Sequence, residues 1–199
     1  AQQRIWGNGP DVPLSASFRS TGSVVPCQDG WILSGEWHFL SGIDYAQWAL
    51  LCIEPEGDEQ SVRFAAVPSA SFRKLDNWQT LGMRGTGSKS IHLDRVFVPS
   101  DMTFLKKELW SGESAYAHGP RYQVSPIAAD PQLFMACALG AATAALRHWS
   151  RCVPGETPSG EVAGVYARSA AELDAAQLLI ERACRVTDQG KMSGVLVSR

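Results

Sequence analysis

Arg84 is a cation set among small residues. The stretch around it reads Gly82-Met-Arg-Gly-Thr-Gly87-Ser88-Lys89-Ser90. Glycines, a lysine and serines in that order approach the chemistry of a phosphate-binding loop. Such a loop needs its lysine directly after the glycine and a helix next, so that the helix amides face the phosphates. Here Ser88 intervenes, and Ser90 to Val98 alternates as a strand does. A phosphate loop is therefore rejected. The glycines read as a corner that needs positive φ, which leaves Arg84 unaccounted for.

Other groups that could do chemistry are scattered. Ser15 to Ser23 holds five serines or threonines in nine residues, a composition typical of a solvated loop. No Ser-His-Asp grouping can be assembled by position and there is no GxSxG, so acyl-transfer hydrolysis has no support. Glu113, Asp94 and Asp130 are isolated carboxylates, and His38 is a lone strand histidine. Trp31, Trp37, Phe39 and Trp48 fall within eighteen residues. Strand aromatics are usually core, but these could also wall a flat ligand. Ser41, at a break between aromatic strands, would then place a hydroxyl at that ligand's edge.

These groups need a scaffold. The chain has 199 residues, is 45% apolar and 19% charged, and carries a net charge of −2. It is long enough for one large or two small domains with a real core. Its charge makes no case for nucleic acid or an anionic membrane. No apolar run reaches the roughly 18 residues that span a bilayer, and no charged-then-apolar leader opens the sequence. The five cysteines are widely spaced without a CxxC, which suggests reduced thiols in a cytoplasmic protein. The four histidines form no ligand pair, so no metal is expected. The chain opens without methionine and closes on an apolar run, Gly194 to Arg199, so it is expected to be a piece of a longer protein.

Positions 1–23 read as loop, with a short strand near Ser15 to Phe18. Gln28-Asp29-Gly30 is a turn signal. Trp31 to Leu33 and Glu36 to Leu40 read as a hairpin about Ser34-Gly35, and Ser41-Gly42 ends it. Trp48 to Ile53 reads as a strand buried on both faces, bounded by the Glu54 to Asp58 turn. Val62 to Val67 and Phe72 to Trp78 read as further strands. Ile91 and Leu93 share one face of the next strand, after which the phase slips to Val96 and Val98, as at a bulge. The spacing predicts a closed or nearly closed antiparallel sheet. Asp130-Pro131 then reads as a helix start. Leu133, Phe134, Cys137, Ala138, Ala141, Ala145, Leu146 and Trp149 recur at three and four. Val153 to Gly160 reads as a loop, and a second helix runs from about Glu161 to Gln189 with Gly190 as its stop. Its stripe is Val165, Ala171, Ala175 or Ala176, Leu179, Ile180, Ala183 and Val186. The expected fold is α+β: an antiparallel β-barrel-like domain over 1–110, a connector over 111–127 and part of a helical bundle over 128–199. Two long helices cannot bury such stripes alone, so more helices are expected from elsewhere.

Two segments together carry a resemblance. Gly30 to Trp48, with Trp37-His-Phe-Leu-Ser-Gly42 at its centre, is followed about thirty residues on by Trp78 to Pro99. The pair resembles the acyl-CoA dehydrogenase fold and, within it, the oxygenase components of two-component flavin-dependent monooxygenases. The W-x-F-x-SG pattern stands where true dehydrogenases usually carry a WITNG-like sequence. The resemblance implies an oxygenase that takes reduced FMN (FAD as the alternative) from a separate flavin reductase. It would use O2, through a C4a-hydroperoxyflavin, to hydroxylate a small aromatic substrate, within a homotetramer. The turn at Ser41, the catalytic residue, would lie against the flavin with its hydroxyl or backbone amide near N5. Phe39 would lie against the ring, Arg84 near the reduced flavin's negative charge, and Ser17 toward flavin or substrate. The base that deprotonates a phenol would lie in helices outside this chain. Two alternatives stand beside this reading: an FAD-bound acyl-CoA dehydrogenase, and a truncated paralogue that only packs into an oligomer.

Overall fold

The structure, a computed structural model, describes residues 1–55, 61–111, 124, 126–152 and 160–189. It divides into two compact units, Ala1–Glu108 and Leu109–Arg199.

In the first unit a short helix, α1 (Gln2–Trp6), lies within the segment that reads as loop. Among the described residues eight strands follow in order: β1 (Leu14–Ser17), β2 (Ser23–Cys27), β3 (Gly30–Leu40), β4 (Trp48–Ile53), β5 (Arg63–Pro68), β6 (Arg73–Leu75), β7 (Lys89–Pro99) and β8 (Thr103–Leu105). The expected barrel-like closure is not what the pairing gives. Among the described residues the strands form two four-stranded sheets, in the orders β1-β4-β5-β8 and β2-β3-β7-β6. All pairs are antiparallel except β1 with β4, which is parallel.

The two sheets share one core. Leu33, Trp37, Leu40, Ile91 and Leu93 come from one, and Ala49, Leu51, Ile53, Ala65 and Val67 from the other. Trp37 is fully buried, and its indole N–H donates across to the Cys52 carbonyl at 2.8 Å. That bond satisfies a polar atom that would otherwise be costly to bury. Gly22 covers the same ring: a Cβ there would lie 2.1 Å from Trp37 Cη2.

β3 corrects the expected hairpin. Ser34-Gly35 is no turn, because β7 pairs along both sides of it. Gly35 has φ +108°, and a Cβ there would lie 3.2 Å from Gly22 Cα, so the glycine admits a close backbone passage within one strand. The hairpin lies one element earlier, between β2 and β3, with Asp29 at φ 62°. β2 escapes a sequence pattern because Pro26 sits in it, and a sheet tolerates proline on an edge strand, which β2 is. The strand expected over Phe72 to Trp78 is only the three residues of β6. The phase slip in β7 is real. Ser34 faces both Asp94 and Arg95, and the Arg95 N–H donates to Ser34 Oγ at 3.1 Å.

In the second unit α3 (Pro126–Cys152) and α4 (Gly160–Asp188) form an antiparallel pair, while α2 (Lys106–Ser111) straddles the division between units. α3 starts earlier than expected: Pro126 takes the first helical position and Pro131 lies inside the helix. Gln132 Nε2 donates to Thr187 Oγ1 at 2.7 Å, and Trp149 stacks on Tyr166 with centroids 6.4 Å apart. The expected α3 stripe is mostly outside this pair. Leu133 and Phe134 are 67% and 71% exposed, while Gln132, Leu139, Thr143 and Leu146 are the more covered residues. α3 is apolar around more of its circumference than one partner helix can cover. The 153–159 loop, Gly190, Glu113 and most of the 111–127 connector lie outside the described residues.

Candidate functional site

The site begins at a second irregularity in the β3–β7 ladder. Trp37 pairs with Ile91 and Leu40 with Lys89, so His38 and Phe39 together face Ser90. The extra residue is a β-bulge, a device that re-aims a side chain. Phe39 pays for it with φ 62°, in the left-handed region that bulky residues avoid. Its ring is 63% exposed and meets Trp78 edge-on, centroids 6.4 Å apart.

Two hydroxyls of β1 hold this end of β3 from beneath. Ser17 Oγ donates to the His38 carbonyl and Ser15 Oγ to the Ser41 carbonyl, each at 2.8 Å. Both serines are buried. On the other side, Ser90 Oγ accepts from Asn77 Nδ2 at 2.9 Å and lies 2.8 Å from His38 Nδ1. The backbone is thereby held at His38, just before Phe39, and at Ser41, two residues after it.

Next comes the glycine turn. Arg84–Thr86 is a short 3-10 turn flanked by Met83 and Gly87, both in the left-handed region. It docks directly on the turn after β3. The Gly42 N–H donates to the Thr86 carbonyl at 2.8 Å, and Ser41 Oγ lies 2.7 Å from Ser88 Oγ. Trp78 Nε1 donates to the Met83 carbonyl at 3.2 Å, closing the circle back to Phe39. Lys89 clamps the rim through Asp44 (2.9 Å) and Asp76 (3.1 Å). Those carboxylates, Asp44 first, raise the Lys89 ammonium above its ordinary pKa. After Lys89 the chain is a strand, so the rejection of a phosphate loop stands.

Phe39, Ser41 and the Arg84 turn, distant in sequence, thus share one rim. Ser17 joins them through the His38 carbonyl. Arg84 is exposed, and no ion pair to it occurs among the described residues. The aromatic alternatives divide: Trp37 is core, Trp31 and Trp48 pack half-buried against it, and Phe39 is displayed. Sequence reasoning gave no role to Ser15, Asn77, Thr86 or Ser88. The Thr-Gly-Ser spacing inside the glycine run was the local signal for Thr86 and Ser88, and the serine-threonine cluster over Ser15 to Ser23 the one for Ser15.

The rim can take a flat anionic ligand. Space above it is open: a Cβ at Gly42, Gly82 or Gly85 would meet nothing within 4 Å. It offers an aromatic face, a hydroxyl and a cation, a donor set that suits a reduced flavin. Among the described residues, no group of three or more His, Cys, Asp or Glu is placed to hold a metal ion.

Comparison with known proteins points the same way. No family model matches the chain. The FADH2-dependent resorcinol hydroxylase, oxygenase component, of Rhizobium sp. is 31% identical over 195 residues, 94% of this chain and 47% of that protein. The structure of XiaF from Streptomyces sp. in complex with FADH2 and glycerol matches with a TM-score of 0.78 and 25% identity, over 95% of this chain and 52% of that one. An acyl-CoA dehydrogenase from Geobacillus kaustophilus matches in fold, with a TM-score of 0.71 and 14% identity, over 92% of this chain and 52% of that one. The chain is therefore a homologue of the oxygenase components of two-component flavin-dependent monooxygenases and shares the acyl-CoA dehydrogenase-like fold. It spans about half the length of the resorcinol hydroxylase, 47%.

Proposed function

We propose that this chain supplies the flavin-facing β-unit of an oxygenase component that hydroxylates a small aromatic substrate. The observation that carries this is the 31% identity to a flavin-dependent hydroxylase across 94% of the chain. The rim supports it. Bound reduced flavin supplies the electrons that activate dioxygen, one atom of which goes to the aromatic ring. Arg84 balances the flavin's negative charge. Phe39 presents an apolar face that excludes water. Ser41 holds the polar edge near N5, and Ser17 keeps the Phe39 bulge in place from below.

The flavin is reduced FMN or FADH2, since solved neighbours hold one or the other, and it is delivered by a separate reductase. The working protein is a homotetramer in the cytoplasm, and the phenol-deprotonating base lies outside the chain. No described helix is long and apolar enough to cross a membrane.

Anaerobic titration with reduced FMN and FADH2, followed by labelled dioxygen and a phenolic substrate, tests the reading. Reduced flavin should bind more tightly than oxidised flavin, and label should enter the product. Oxidation of an acyl-CoA without oxygen transfer would indicate the dehydrogenase alternative, and failure to bind either flavin a non-catalytic paralogue.

Phe39 provides a second test. Phe39→Gly should hold or raise the melting temperature, since a left-handed non-glycine residue costs about 1–2 kcal/mol and the exposed ring packs little. Phe39→Ala loses the ring but keeps the strained backbone, so it should be about 1 kcal/mol less stable than Phe39→Gly. Both should bind reduced flavin more weakly. A glycine variant less stable than the alanine variant would mean that the bulge is unstrained.

A further inference from the structure

Three hydroxyls stand in file behind the open side of the rim. Ser41 Oγ lies 2.7 Å from Ser88 Oγ, and Ser88 Oγ lies 2.7 Å from Thr86 Oγ1. Thr86 Oγ1 is also 2.9 Å from the Met83 carbonyl. A hydroxyl has one proton to donate, and a carbonyl can only accept. Thr86 therefore donates to Met83, so it accepts from Ser88. Ser88 has then used its proton and accepts from Ser41. Ser88 is buried, and reversing the row would leave the Thr86 hydroxyl oxygen and the Met83 carbonyl oxygen facing each other at 2.9 Å with no proton between them. The row has one polarity, and it draws the Ser41 proton away from the open side.

We infer that Thr86 and Ser88 are positioning residues that fix the Ser41 hydroxyl as a hydrogen-bond acceptor toward the ligand, so that the rim selects a ligand edge bearing N–H over one bearing a bare ring nitrogen. In a flavin that distinction is the redox state. The reduced ring carries N–H at N5, and the oxidised ring presents a lone pair there. An acceptor-only Ser41 attracts the first and repels the second. Ser15 already donates to the Ser41 carbonyl at 2.8 Å, which holds the backbone of the selecting residue still. This inference rests on the reading of the rim as a flavin site. It adds a device by which residues that never touch the flavin discriminate between its two states.

The test compares dissociation constants for oxidised and for anaerobically reduced flavin in the full-length protein. In Thr86→Val the Ser88 proton turns to Ser41 and frees the Ser41 proton for the ligand. In Ser88→Ala the Ser41 proton is freed directly. Each should lower the oxidised-to-reduced ratio of dissociation constants about tenfold, the worth of one hydrogen bond. Thr86→Ser restores the row and should keep the wild-type ratio. Adding Thr86→Val to Ser41→Ala should change the ratio no further, since Thr86 acts only through Ser41. A wild-type ratio in both Thr86→Val and Ser88→Ala overturns the inference while leaving the flavin site intact. So does an equal Thr86→Val effect in the Ser41→Ala background. A protein that binds neither flavin state overturns the site reading and this inference with it.

Discussion

Trp37→Ala is expected to cost about 3–5 kcal/mol of stability, the range for removing a fully buried large aromatic. A whole domain is commonly stable by only about 5–15 kcal/mol, so the β-unit would be left marginal. Three features set the size of the effect. The side chain is wholly buried between the two sheets. The Gly22 backbone lies on its ring, so the neighbourhood has no side chain there to fill the void. Its indole N–H is also the donor to the Cys52 carbonyl. Trp37→Phe should recover most of the packing and lose that bond, leaving a deficit of about 1–3 kcal/mol. Denaturant midpoints of the two variants check this. A Trp37→Ala midpoint within error of the wild type would mean that the sheets do not depend on this contact.

Arg84→Ala is expected to weaken binding of reduced flavin by about tenfold to a hundredfold, which is about 1.5–3 kcal/mol for a hydrogen bond to a charged group. The melting temperature should hardly move, since an exposed substitution away from packing usually stays within about 0.5 kcal/mol. The oxidised flavin ring is neutral, so oxidised flavin should lose less affinity. Arg84→Lys should recover part of the loss, because it keeps the charge but not the planar fork. The measurement is paired: calorimetric melting of each variant beside anaerobic titration. A sharp drop in melting temperature with flavin affinity intact would make Arg84 a structural residue and remove the cation from the proposed site.

Trp37 and Phe39 sit on opposite sides of the same strand end. Trp37 points into the core, and two residues later Phe39 is displayed to solvent. In an unbroken strand, residues two apart share a face. The bulge at His38-Phe39 breaks that rule, placing an exposed aromatic beside a core aromatic. A strained, exposed phenylalanine is a poor choice for folding alone, which fits a residue retained for a ligand.

Much was legible in the residues. Trp48 to Ile53 is β4 to the residue, because an apolar run bounded by turn residues has few other uses. The slip from Leu93 to Val96 is a bulge, because period-two burial tolerates no other insertion. The second helix keeps its expected extent, Gly160–Asp188, and the docked turn keeps Arg84 in the open. What could not be read was the partner of each strand. Ser34-Gly35 carries a turn's composition, yet a long neighbour, β7, holds it straight. Pro26 hides an edge strand, and α3 exposes a stripe that looked like a packing face. Local pattern reports how one segment would like to be buried. Which surface buries it is a long-range choice.

The same division runs through the rim around Arg84. Residue types alone determined that the glycine run is a corner followed by a strand and that it carries an unexplained cation. Only the tertiary structure decided that this corner docks on Ser41-Gly42 and that Phe39 turns outward. It also decided that Thr86 and Ser88 align behind Ser41. The physical reason is that hydrogen bonds such as Gly42 to Thr86 join residues more than forty positions apart. No local periodicity records which two turns will meet.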